Sequence, residues 1–155
     1  MDSVQEQIVK KIVAKLALIT TANGYSNTIA SVQRHNLDGV ETVNVPTLLV
    51  KEGECTAELG RSVAPSVMRR QEMFVVIITT QDPLDARSGG EILNSLIADV
   101  ERCLSQHRTW DGLAITTDPP DYFETELDAT MPHLTKGLRC SVQYEHFRND
   151  PYGQA

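Results

Sequence analysis

Apolar residues near the start of the chain recur at three- and four-residue steps. Ile8, Val9, Ile12, Val13, Leu16 and Ile19 fall on one stripe, with Gln5, Lys10, Lys11 and Lys15 mostly off it. That period predicts an amphipathic helix over Val4–Ile19. "ANGY" at Ala22–Tyr25 stops it, and Gly24 suits a left-handed C-terminal cap. A second stripe, Ile92, Leu93, Leu96, Ile97, Val100 and Leu104, predicts a helix in "SGGEILNSLIADVERCL". Ser88 and Glu91 have the spacing of a capping box, which makes Ser88 the N-cap.

The remaining pattern is that of strands. Thr28–Arg34 and Pro46–Lys51 read as two, with "HNLDG" a turn between them and Pro46 at a first or edge position. Met73–Thr80 is β-branched and apolar on both parities, which predicts a central strand buried on both faces; "QDPLDA" ends it. Leu113–Thr117 predicts another strand, interrupted by Pro119-Pro120. In Leu138–Phe147, Leu138, Cys140, Val142 and Tyr144 alternate with Arg139, Ser141, Gln143 and Glu145, the pattern of a half-exposed antiparallel strand. Residues 52–70 open with "EGE", have no clean period and hold Gly60 and Pro65, so they read as a long, mobile connection. Residues 147–155 read as a C-terminal extension. The order predicts an α+β two-layer sandwich, with a mostly antiparallel sheet of four to five strands and both helices on one face.

Composition bounds the class. The 155 residues predict one domain, and a chain of that length buries about two-thirds of its unfolded surface without a metal or disulfide staple. A net charge of −7 argues against duplex nucleic-acid binding, which needs clustered Lys and Arg. Cys55, Cys103 and Cys140 are odd in number and widely spaced, so they read as reduced apolar residues of an intracellular protein. The N-terminus carries no basic-then-apolar signal, and no apolar run approaches the roughly 18 residues of a membrane span.

Catalytic patterns are lacking. His35, His107, His133 and His146 have no metal-ligand spacing, and His35 with Asp38 reads as a solvated turn. Asp118, Asp121, Glu124, Glu126 and Asp128 lack the glycine and spacing of a calcium loop; they read as a solvated rim or a negative lining. Gly89-Gly90 precede a helix, but no P-loop lysine follows, and Glu91 puts negative charge where a phosphate would sit. Ser62, Ser66 and Ser88 lack a nucleophile-elbow context. Trp110 reads as a packing anchor. No enzyme activity and no cofactor are expected. Arg61, Arg69 and Arg70 lie in or beside the connection. They serve either solubility or bidentate pairing with an acidic patch of a neighbouring subunit, which the acidic stretch could supply.

Taken in order, these features resemble the tail terminator (tail completion) proteins of long-tailed bacteriophages. The resemblance rests on a first helix closing in "ANGY", "VQR" before a turn, and "VPTLLVKEGE". It continues through an Arg-bearing connection into "MFVVIITT", then "GGEILNSLIADVERCL" with "DGLA", and the closing "VQYEHFRNDPY". Pro119–Lys136 is longer and more irregular than that pattern. The resemblance implies a virion protein at the tail–neck junction, made and assembled in the host cytoplasm. It forms a ring of six copies that caps the tail tube, stops its polymerisation and meets the head-side connector. DNA passes through the lumen only in transit, and no membrane is involved. Such a ring needs head-to-tail contacts that close. Arg61, Arg69, Arg70, Phe147, Arg148, Asp150 and Tyr152 are then the candidate subunit or tube interface. Asp118, Asp121, Glu124, Glu126 and Asp128 are the candidate acidic lumen or rim. The competing readings are a head-closure, minor tail or tube-like component, a small cytosolic enzyme subunit, and a DNA-binding regulator.

Overall fold

The computed structural model describes residues 1–34, 44–80, 88–124 and 133–155. Its elements run α1 (Val4–Leu16), a 3-10 turn (Thr21–Asn23), β1 (Ser31–Arg34), β2 (Thr47–Ala57), β3 (Ser66–Thr80), α2 (Gly89–Gln106), β4 (Thr116–Thr117), β5 (Asp121–Phe123), β6 (His133–Phe147) and β7 (Asp150–Gln154). The class is α+β. The predicted "HNLDG" and "QDPLDA" breaks lie outside the described residues.

Both helices form where the apolar stripes place them. Ser3 caps α1 by accepting from the Glu6 amide, and Val4, Ile8, Val9, Ile12 and Leu16 are buried. The helix stops at Leu16, three residues before its predicted end. There the Leu18 and Ile19 amides donate to the Lys15 and Leu16 carbonyls at 3.1 Å each, tightening the last turn. Ile19 stays buried, and Gly24, at φ +84°, closes the 3-10 turn rather than α1. For α2 the Ser88–Glu91 capping box forms as its spacing predicts.

The sheet departs from the expected one. Among the described residues it has seven strands and is mixed, because β1 runs parallel to β2 while the other pairs are antiparallel. β3 lies at the centre of the order β1-β2-β3-β6-β4, with Met73, Val75 and Ile77 in the core. Its other parity, Phe74, Val76 and Ile78, faces the opposite side and is half-buried or buried. β6 pairs with β3 along one edge, and its other edge is covered in succession by β5, β4 and β7. Short strands of this kind blunt an edge that would otherwise expose unpaired amides. The predicted strand Leu113–Thr117 shrinks to Thr116–Thr117, since Trp110, Asp111 and Gly112 take left-handed φ values of 49°, 59° and 87°. Gly137 on β6 lies under the Phe123 ring, where a Cβ would stand 2.2 Å from Cζ.

The core lies between the helices and the sheet face carrying Leu48, Val50, Val75, Ile77, Leu138 and Val142. Asp99 of α2 is buried and accepts from the Ser26 amide at 3.2 Å, the Asn27 amide at 2.9 Å and Asn27 Nδ2 at 2.8 Å. It ties the segment leading into β1 onto α2. Asp99→Ala strands those donors, so a loss of about 1–3 kcal/mol is expected in urea unfolding. A midpoint unchanged from wild type would show that the donors find other partners.

Candidate functional site

At one end of the sheet β2 runs on beyond its buried stretch. In β2 the buried run ends at Val50, and Lys51–Ala57 are exposed or half-buried. A bulge between Glu52 and Cys55 shifts the β2–β3 register there. The buried Gln71 amide serves it, with Nε2 donating to Gly53 O at 3.0 Å and Glu72 O at 2.9 Å. The segment read from the sequence as a connection over 52–70 is therefore mostly ladder: only residues 58–65 link β2 to β3.

The C-terminal extension is corrected in the same way. Residues 150–154 fold back as β7 on β6, across the two-residue link Arg148-Asn149. The fold-back satisfies amides at the end of β6 that a free tail would leave to water. Gln154 Nε2 donates to Gly112 O at 2.5 Å, and the Tyr152 amide donates to Asp150 Oδ1 at 3.0 Å. Ser66 pairs with Phe147, and the Arg148 amide donates to Pro65 O at 2.6 Å, so the two hairpin tips lie side by side.

These tips carry large apolar side chains in water. Leu59 is 82% exposed, Val63 71%, Phe147 42% and Tyr152 49%. Leu59 and Val63 lie on the link between β2 and β3, Phe147 ends β6 and Tyr152 lies on β7. Phe147 and Tyr152 were legible as candidates. Leu59 and Val63 were not, because nothing in an aperiodic segment tells an exposed leucine from a buried one.

The three candidate arginines separate. Arg70 lies on the face away from the helices, donating from Nε to Glu58 Oε1 and from Nη1 to Asp118 Oδ2, both at 2.6 Å. Gln143 Nε2 donates to Glu58 Oε2 at 2.6 Å, and Arg61 Nη1 stands 3.7 Å from the same oxygen. The acidic partner expected from a neighbouring subunit is thus supplied to Arg70 within the chain. The Arg70 hydrogen bond holds the Glu58 carboxyl below its ordinary 4.5, with Gln143 adding to the effect. A depressed folded value contributes stability that is fully present above the ordinary pKa and is lost as pH falls through the folded one. Acid unfolding of Glu58→Gln is accordingly expected to be flatter below about pH 4.5 than that of wild type. Parallel curves would remove Glu58 from the acid response.

Arg69, one residue away, faces the opposite side. Its Nε donates to His146 Nε2 at 3.3 Å, beside Tyr144. The Tyr144 hydroxyl lies 3.7 Å from Cys55 Sγ, and burial pushes its pKa up. Cys55 is exposed, whereas Cys103 and Cys140 are buried, and burial raises both thiols, Cys140 to about 12.

The acidic stretch does not form a bare lining where it is described. Asp118 is bound by Arg70, Asp121 stands 3.8 Å from Arg139 Nη2, and Glu124 pairs with Lys136. Glu126 and Asp128 lie outside the described residues. Among the described residues no group of three or more His, Cys, Asp or Glu is placed to hold a metal ion. No helix among them is long and apolar enough to cross a membrane. No protein-family model matches the chain, and no curated protein matches it either.

Proposed function

We propose that the chain is a structural virion protein that forms a ring at the head-proximal end of a phage tail tube, ends tube polymerisation and presents the surface for head joining. The observation that carries this reading is the pair of adjoining hairpin tips with Leu59, Val63, Phe147 and Tyr152 in water. A head-to-tail ring joins two different patches of each copy, and this end of the sheet is one of them. The resemblance in the order of elements supplies the six-fold ring, the tube protein and the head-side connector as partners.

The helix-free sheet face fits a lumen. Arg70 bridges Glu58 and Asp118 there and Arg139 stands near Asp121, so the carboxylates of the face are partly neutralised. A polyanion passing such a wall finds neither a sticky basic surface nor a strongly repelling one. The finer picture, a sheet layer toward the lumen and a helical layer outside it, belongs to the same proposal. The test is immunogold labelling of intact particles with antibody against this chain. One gold cluster at the head–tail junction is expected. Label along the tube, at the distal tip or on the capsid contradicts the placement.

A further inference from the structure

At the tip end, the sheet face bearing Arg69 opens into a cleft of about 430 Å³ lined by Cys55, Arg69, Tyr144, His146, Arg148 and Pro151. The N-terminal turn of α1 reaches the same cleft through Ser3 and Gln5. Its charge stands apart in this acidic chain. Arg34 and Arg70 each bridge two carboxylates. Arg69 and Arg148, by contrast, have no carboxylate within 4 Å among the described residues, and both face the cleft.

The guanidinium of Arg69 is held in place. The His146 Nδ1 proton goes to the Phe147 carbonyl at 2.7 Å, which leaves Nε2 as the acceptor for Arg69 Nε at 3.3 Å. His146 is itself buried. With Nε engaged, the two Nη groups of Arg69 remain to donate in a fixed plane. A fork of that kind matches two oxygens of one carboxylate or phosphate. Arg148 supplies a second cation from the β6–β7 link, and the α1 N-terminus adds partial positive charge. Glu52, whose charge reaches Tyr144, is engaged by Arg34 at 2.7 Å.

We propose that this cleft binds a small, diffusible oxyanion, a phosphate or polycarboxylate, clamped between Arg69 and Arg148. This does not depend on the ring, since the isolated chain contributes every group. The experiment is titration calorimetry of the full chain in low-salt chloride buffer, with citrate and with inorganic phosphate. Saturable binding of one anion per chain is expected with at least one of them. Arg148→Ala, on an exposed link, and Arg69→Gln are each expected to weaken it at least tenfold. Arg61→Ala, whose side chain lies outside the cleft, is expected to bind as wild type. No saturable heat with either anion overturns the proposal, as does wild-type binding by Arg148→Ala. Equal weakening in Arg61→Ala overturns it too, because it reduces the effect to diffuse charge. Sedimentation should not change on adding anion. Anion-driven self-association in place of one-to-one binding assigns the cleft to a protein carboxylate and also overturns it.

Discussion

Leu59→Asp combined with Val63→Asp is expected to leave the chain folded and to abolish assembly. Both side chains are mostly in water, at 82% and 71% exposure, so the substitutions should shift stability by no more than about 0.5 kcal/mol each. In the ring proposed above the same positions are covered. A carboxylate carried into a covered, apolar contact loses its hydration without gaining a partner. Supplied in trans to phage lacking the chain, the double variant should lower the yield of infectious particles by well over about tenfold, the scale of one central interface residue. Its thermal unfolding should match wild type. Full rescue by the folded variant would show that the hairpin tips are not a covered surface, and the assembly reading would lose its support.

Trp110→Ala is expected to give the largest loss of stability of any single change considered. The ring is fully buried, and Nε1 donates to Thr117 Oγ1 at 2.8 Å, while Thr117 donates on to Arg108 O at 2.8 Å. This small circuit holds the left-handed run of Trp110, Asp111 and Gly112 against the start of β4. Asp111, next in the chain, meets Lys11 at 3.0 Å and Lys15 at 3.5 Å, so the turn also braces α1. Removing the ring should cost about 3–5 kcal/mol by urea unfolding followed by circular dichroism. Thr117→Val keeps the ring and removes the two hydrogen bonds, and about 1–3 kcal/mol is expected. Equal losses in the two variants would mean that the hydrogen bonds, rather than the volume, hold the turn.

What could be read in advance follows from where the helices cover the sheet. Ile92, Leu96, Val100 and Leu104 keep period because α2 buries one face, and Leu138, Cys140, Val142 and Tyr144 alternate because β6 does the same. Ser88 and Glu91 are local chemistry, visible without tertiary context. Glu52–Ala57 has neither signal. That part of β2 is a strand held by backbone pairing and by side chains from elsewhere, Gln71 on Gly53 O and Arg34 on Glu52, and its own pattern is that of a loop. β7 was hidden for the same reason, since "DPYGQ" looks like a tail and becomes a strand only because the end of β6 offers an open ladder. Arg61, Arg69 and Arg70 are close in sequence, and nothing there separates them. Strand alternation sends Arg69 and Arg70 to opposite faces, one into the cleft and one into the Glu58–Asp118 network. The intrachain partner of Arg70 could not be foreseen, because Asp118 reaches it only through the pairing of β4 with β6.

The central claim is that this chain ends a growing tail tube and joins it to a head. It is tested most directly by electron microscopy of a lysate in which its gene carries a stop codon. The account predicts filled heads beside separate, headless tails of abnormal and variable length. Intact, infectious particles with tails of normal length would contradict it.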